Sequence, residues 1–106
     1  MEVKGRECEE VLIGEYKMYF LTEFKGREYR LTMEAQEDAL GSDFDVVRFT
    51  INVPSLFPIF CMKCTKGEEE MKIEAELLDE LSVEDFVKVQ GKLSSLARQL
   101  FELKKK

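Results

Sequence analysis

The C-terminal part of the chain carries a long apolar stripe at helical spacing, and this stripe limits the possible folds more than any other feature. Its residues recur three and four positions apart, which places them on one face of an α-helix. They are Phe86, Val89, Leu93, Leu96, Leu100 and Leu103, widened by Val87, Ala97 and Phe101. Ser82 stands three residues before Asp85, as in a capping box with aspartate in place of glutamate. We therefore predict a long C-terminal helix that begins near Ser82.

Alternation of apolar and polar residues in the first third of the chain predicts β-strands. Two alternating runs, 16–24 and 29–33, lie on either side of Lys25-Gly26. Glycine suits the positive φ of a tight turn, so the two runs predict a hairpin. The preceding segment 8–13 fits either an extension of the first strand or a helical turn.

The middle of the chain divides into a loop and two further strands. Residues 35–45 are mostly polar and show no clear period, so we predict a loop with at most one short helical turn. Alternation with frequent β-branched residues predicts a strand over 47–53, which Pro54 ends. The same alternation predicts a last strand over 71–77.

A short charged motif recurs three times, each time followed by apolar residues. Its glycine accepts the backbone conformation of a tight turn, and its charges keep the turn in water, so each copy predicts a turn that leads into a strand. The copies are Lys4-Gly5-Arg6-Glu7, Lys25-Gly26-Arg27-Glu28 and Lys66-Gly67-Glu68-Glu69. The sequences that follow the copies diverge, so shared turn chemistry explains the motif better than an internal duplication.

Together these elements predict one α+β domain over residues 1–106. We expect an antiparallel sheet of four to five strands covered on one face by the long C-terminal helix. The expected order is two strands, a loop, three strands and the helix. A chain of 106 residues is long enough to bury a single core.

Composition narrows the classes of partner. A net charge of −6 argues against a nucleic-acid partner, because phosphate binding needs a concentrated basic face. No apolar run approaches the roughly 20 residues that span a bilayer, and the first residues lack the apolar core of a signal peptide. We therefore expect a cytoplasmic protein without a membrane partner. Glutamate and lysine dominate the charges while asparagine and glutamine are scarce, which is a thermophile-like composition.

Cys61 and Cys64 form a Cys-x-x-Cys pair, and Cys8 is the remaining cysteine. Four roles are open for the pair: buried structural thiols, a disulfide, half of a metal site, or a redox centre. A zinc site needs about four ligands, and the chain has no histidine, so Cys8 and a carboxylate such as Glu68 would have to join the pair or a dimer would have to supply a second pair. The glutamates next to Cys8 would raise its pKa and make it a poor nucleophile.

The apolar segment 53–62 contains two prolines, so it cannot be an ordinary central strand. We predict that 55–60 is an edge strand or an irregular cover over the core. Its side chains and the helix stripe fit either a core or a contact surface, since both sets are larger than one small sheet strictly needs. The candidate contact residues are Phe57, Ile59, Phe60, Met62, Leu93, Leu96, Leu100 and Leu103.

Three hypotheses about function follow from these features. The first is a non-enzymatic binding or assembly protein, an acidic homodimer that contacts a second copy or another protein. The second is a thiol or zinc protein centred on Cys61 and Cys64, with Cys8 as a further candidate ligand. The third is a carrier of a small apolar ligand. The absence of histidine excludes nucleophilic mechanisms that use an imidazole base from within one chain.

Overall fold

A computed structural model of the chain describes residues 1–40 and 53–104. Within these ranges the elements are β1 (Glu2–Val3), β2 (Arg6–Ile13), β3 (Tyr16–Leu21), α1 (Gly26–Leu40), α2 (Val53–Phe60), β4 (Cys61–Lys66), β5 (Glu69–Met71), α3 (Ala75–Asp79) and α4 (Val83–Lys104). The strands form one antiparallel sheet in the order β1-β2-β3-β4-β5. The predicted α+β class, the antiparallel sheet and the long C-terminal helix are therefore confirmed.

Glycine turns connect β1 to β2, β2 to β3 and β4 to β5. Lys4 and Gly5 both have positive φ, 52° and 80°, and close the β1–β2 hairpin as a type I′ turn requires. Gly14 opens the two-residue turn between β2 and β3, and Gly67 opens the one between β4 and β5. Two of the three charged motifs are thus turns between strands, as predicted.

The second copy of the motif begins a helix, so the predicted strand at 29–33 is wrong. Glu28 lies in the first turn of α1, and its side chain accepts a hydrogen bond from the backbone N–H of Lys25 at 2.8 Å. Glu28 and Thr32 are fully buried, one helical turn apart, and Leu31 and Ala35 are partly buried against the core. The spacing of these four positions is helical, and it outweighs the shorter period-two pattern.

The proline-interrupted segment is helix α2 and not an edge strand or irregular cover. Pro54 lies in its first turn, where the missing N–H costs nothing, and Pro58 is on the exposed side. α2 contacts α1, α3, α4 and β4, so it lies at the centre of the helical layer. Phe57 and Phe60 are completely buried in this position.

The predicted strand over 71–77 is too long. The strand β5 ends at Met71, and α3 begins at Ala75. Leu77 and Leu78 are both buried in the same core cluster, whereas neighbouring side chains of a strand point to opposite faces. The predicted loop over 35–45 is helical as far as Leu40; its remainder, and the predicted strand at 47–53 except Val53, lie outside the described residues.

The helix α4 begins as the sequence predicts. The Ser82 hydroxyl accepts a hydrogen bond from the backbone N–H of Asp85 at 3.1 Å, which caps the first turn. Its buried face packs against α2 and reaches β2. The buried residues of α4 are Val89, Leu93, Leu96, Ala97 and Leu100. Across the part of the chain that the structure describes, no helix has both the length and the apolar character needed to cross a lipid bilayer.

Candidate functional site

Cys61 and Cys64 both face the core because β4 contains a bulge. In a regular strand, side chains three residues apart point to opposite faces. Cys64 lies opposite Met18, and Cys61 lies opposite Phe20. Between these two pairs, β4 therefore contains one residue more than β3. The extra residue, near Met62, turns both sulfurs toward the same buried face.

The environment of the cysteines makes them poor nucleophiles. All three are buried free thiols, and the Cys61 thiol donates a hydrogen bond to the carbonyl of Lys63 at 3.4 Å. Burial, together with the neighbouring Cys64, raises the pKa of Cys61 to about 12. Burial also raises the pKa of Cys64 to about 11. Both thiols are therefore neutral at pH 7, whereas the reactive form of cysteine is the thiolate.

Cys8 lies on a different strand from this pair, β2. It pairs with Leu21 on the β2–β3 ladder and is also buried. Burial raises the pKa of its thiol, Arg6 lowers it, and Glu7 raises it, with a net increase. Among the described residues, no group of three or more cysteine, aspartate or glutamate side chains is arranged to hold a metal ion. The structure therefore does not bring Cys8 or Glu68 to the Cys61–Cys64 pair as metal ligands.

The predicted contact residues are mostly inside the molecule. Phe57, Ile59 and Phe60 of α2 are buried against α4, whose Leu93, Leu96 and Leu100 are buried in the same cluster. These side chains form the core of a single copy, so they leave little of the predicted contact surface available to a partner. Met62 is partly exposed at the bulge, and the side chain of Leu103 lies outside the description.

A different face of α4 is exposed. Val83 and Val87, one turn apart, are 81% and 54% exposed, and Gly91 follows one turn later. A methyl group added at Gly91 would meet no atom within 4 Å. We call Val83, Val87 and Gly91 the valine face. The prediction that Val87 belongs to the buried stripe is wrong; the regular four-residue spacing of Val83, Val87 and Gly91 is the sequence signal for this second face.

A second open feature is the edge of β2 beyond the short strand β1. β1 pairs with Arg6 and Glu7, and the backbone N–H of Cys8 donates to the carbonyl of Met1 at 2.7 Å. Within the described ranges no strand lies beside the following residues of β2 on that side. Leu12, which is 66% exposed, lies in this open part of the strand.

A surface cavity of about 290 Å³ lies beside β1. The Nζ atom of Lys63 lies 5.9 Å from the centre of the Tyr19 ring at this cavity. The cavity is lined by Met1, Glu2, Val3, Lys4, Tyr19, Lys63 and Glu70. The lining carries charged groups of both signs, whereas sites for small apolar ligands are lined mostly by apolar side chains, so this cavity adds no support to the carrier hypothesis.

Comparisons of this chain with protein families, with curated proteins and with solved structures found no match. A proposal about function must therefore start from the surfaces of the chain itself. The valine face and the open edge of β2 are the two that carry a physical argument.

Proposed function

We propose that this protein is a non-enzymatic assembly module that forms a homodimer through the valine face of α4. The observation that carries the proposal is the exposure of Val83 and Val87 on one face of a helix whose opposite face fills the core. Large aliphatic side chains aligned on an exposed helix face are the kind of surface that a second helix covers.

The spacing of the valine face is self-complementary. Val83 and Gly91 lie at equal distances along the helix on either side of Val87. In an antiparallel pair of α4 helices with the two-fold axis at Val87, each Val83 would pack onto the partner's Gly91. Because glycine lacks a side chain, the two helices could approach closely at these points. A two-fold dimer has this type of interface, in which one patch meets its own copy.

The charges beside the valine face fit the same arrangement. Glu84 and Lys88 lie on one flank of α4, where Lys88 Nζ is 3.8 Å from the Glu84 carboxylate. In the antiparallel pair each Glu84 would lie near the partner's Lys88, and each Lys88, although it also lies near its own copy, would have a glutamate of both subunits beside it.

The non-enzymatic part of the proposal rests on the groups that could perform chemistry. The sequence lacks histidine, and the three thiols are buried and neutral at pH 7. The Glu28 carboxylate, which is completely buried, is paired with Arg6 and forms part of the fold. Titratable groups at an active site usually lie in a cleft that a substrate can reach. The three thiols and the Glu28 carboxylate are buried instead.

The proposed dimer is weak. Burying the four valines of the dimer contributes at most about 12 kcal/mol, while association costs at least about 4 kcal/mol of translational and rotational freedom. This balance leaves at most about 8 kcal/mol, so the dissociation constant is no tighter than about 1 µM. Such an interface suits reversible assembly or cooperation with a further contact.

Sedimentation equilibrium from 20 µM to 1 mM tests the proposal. We expect a monomer–dimer equilibrium in the wild type and a monomer for Val87→Glu, because two like charges would meet on the two-fold axis. Leu12→Glu is the matched control, since it places the same charge on an equally exposed aliphatic residue away from α4, and it should leave the equilibrium unchanged. A wild-type monomer at 1 mM, or equal effects of the two variants, would falsify the proposal.

A further inference from the structure

The hydrogen-bonding register of β2 shows which of its backbone groups face outward. The two-residue turn makes Ile13 and Tyr16 a hydrogen-bonded pair, and such pairs alternate along an antiparallel ladder. Glu10 and Leu12 therefore direct their N–H and C=O groups away from β3. Two observed bonds support this register: Thr22 N–H donates to the Glu7 carbonyl at 3.1 Å on the β3 side, and Cys8 N–H donates to Met1 on the β1 side.

These outward groups form a docking edge for an extended chain. β1 is two residues long and covers β2 as far as Cys8. In the part of the chain that the structure describes, no strand follows it beside Glu10 and Leu12. An unpaired row of N–H and C=O groups is the template on which a peptide adds a strand to a sheet.

The charges along this edge indicate which kind of extended segment would bind there. β2 and its turn carry Glu7, Glu9, Glu10 and Glu15, and the whole chain has a net charge of −6. Each of these glutamates already has a cationic neighbour, such as Lys92 for Glu9 and Lys17, 3.9 Å away, for Glu10, yet the side chains of Glu9 and Glu10 remain 46% and 38% exposed and accessible to a further cation. Self-pairing of two β2 edges would bring these carboxylates against their own copies, which is unfavourable.

We propose that the open edge of β2 binds an extended basic segment of another protein, which adds a sixth strand to the sheet. On the outer face of the sheet, Glu10 and Leu12 are two residues apart. A lysine or arginine of the segment lies opposite Glu10, and the aliphatic stem of the next basic side chain on that face, two residues along the segment, covers Leu12. This surface is separate from the valine face, so the two proposals stand or fall independently.

Amide hydrogen exchange followed by NMR tests the proposal on the full chain. The probe is a seven-residue peptide in which lysine and valine alternate. We expect it to slow exchange at Glu10 and Leu12, with an affinity that falls as salt is added. The matched peptide, with glutamate in place of each lysine, should not bind. Methylating the peptide nitrogens that face β2 should abolish binding, because the strand-adding hydrogen bonds are then lost.

Two protein variants separate the roles of charge and backbone. Glu10→Lys should weaken binding of the basic peptide by about tenfold or more, whereas Glu84→Lys, the same charge change on α4, should have little effect. Leu12→Pro removes an outward N–H without removing a bond to β3, and should weaken binding by about tenfold. If Leu12→Pro unfolds the chain, Glu10→Lys and the methylated peptide still decide the question.

Any of the following results would overturn the proposal. One is slow exchange at Glu10 and Leu12 in the free monomer, which would mean that the chain itself covers the edge. Another is equal binding of the basic and acidic peptides, and the third is no binding, or binding that protects other strands.

Discussion

The guanidinium of Arg6 and the carboxylate of Glu28 lie 2.5 Å apart and connect the first hairpin to the start of α1. Glu28 is completely buried, and it also accepts hydrogen bonds from the Lys25 backbone and from Arg27. Arg6 and Glu28 come from two copies of the same charged motif, one folded as a turn and the other as a helix start. The ion pair therefore connects a turn and a helix start, although the same local sequence motif predicts a turn at both places.

Replacing Glu28 by glutamine should destabilise the fold strongly. The change leaves the largely buried Arg6 without its charged partner, and breaking a buried ion pair costs about 3–5 kcal/mol. Chemical denaturation measures the free energy of unfolding. The control is Glu34→Gln, which breaks the exposed Arg30–Glu34 pair on the same helix and should cost less than about 0.5 kcal/mol. Similar losses in the two variants would contradict the structural role of Glu28.

The Arg6–Glu28 pair also predicts a pH dependence. Burial raises the pKa of Glu28, but hydrogen bonds from Arg6 and the Lys25 N–H outweigh it, and the net pKa is lowered. A carboxyl with a lowered folded pKa stabilises the protein above its unfolded pKa, about 4.3, and loses this effect as the pH falls through the folded value. The stability gap between wild type and Glu28→Gln should therefore be constant above pH 5 and shrink below pH 4. A gap that stays constant or widens down to pH 2 would count against the assignment.

The burial of the thiols predicts that they react slowly in the native protein. At pH 8 a disulfide reagent should label Cys8, Cys61 and Cys64 only as fast as the fold opens, because buried neutral thiols are inaccessible and unreactive. All three should react at once in guanidinium chloride. Val83→Cys supplies an exposed thiol as the control and should react immediately under native conditions. Rapid reaction of Cys61 or Cys64 in the native protein would contradict this prediction and support a redox role for the pair.

The helix α4 and two glycine turns were predictable because each depends on a few neighbouring residues. Ser82 caps the helix and the apolar period sets its buried face, while Gly5 and Gly67 adopt a positive φ. The strand predicted at 29–33 failed because its residues satisfy both a period of two and a helical period, and only contacts distant in sequence decide between them. The Arg6–Glu28 pair is such a contact.

The cysteine pair and the proline-interrupted segment were harder for a different reason. Whether Cys61 and Cys64 face the same side depends on a bulge in β4, and a bulge is set by pairing with β3 rather than by local sequence. The prolines at 54 and 58 argued against a strand correctly, but they also concealed a short helix that tolerates one proline in its first turn and exposes the other. Its central position made the predicted contact residues part of the core.

Gly91→Ala should have opposite effects on the monomer and on the proposed dimer. In the monomer the added methyl meets no neighbour, and alanine in a helix is more stable than glycine by about 1 kcal/mol. In the dimer the same methyl would lie where the partner's Val83 packs, so the dissociation constant should rise. Unfolding at low concentration and sedimentation at high concentration measure the two effects. Ser95→Ala, on an exposed position of α4, is the control that should leave dimerisation unchanged; stronger dimerisation of Gly91→Ala would rule out the packing at Gly91.

A basic extension fused ahead of Met1 should act as an added strand within the same chain. Because Met1 lies beside Cys8, residues placed before it would continue antiparallel to β2 and reach Glu10 and Leu12. The sequence Lys-Val-Lys-Val puts a lysine opposite Glu10 and should stabilise the fold by about 1 kcal/mol, or roughly 4–8 °C in melting temperature. Glu-Val-Glu-Val is the control, since both extensions disrupt the contact of the terminal ammonium with Glu7. Thermal unfolding and exchange at the Glu10 and Leu12 amides measure the result. Equal melting temperatures for the two extensions would show that the charge of the added strand does not affect its pairing with β2.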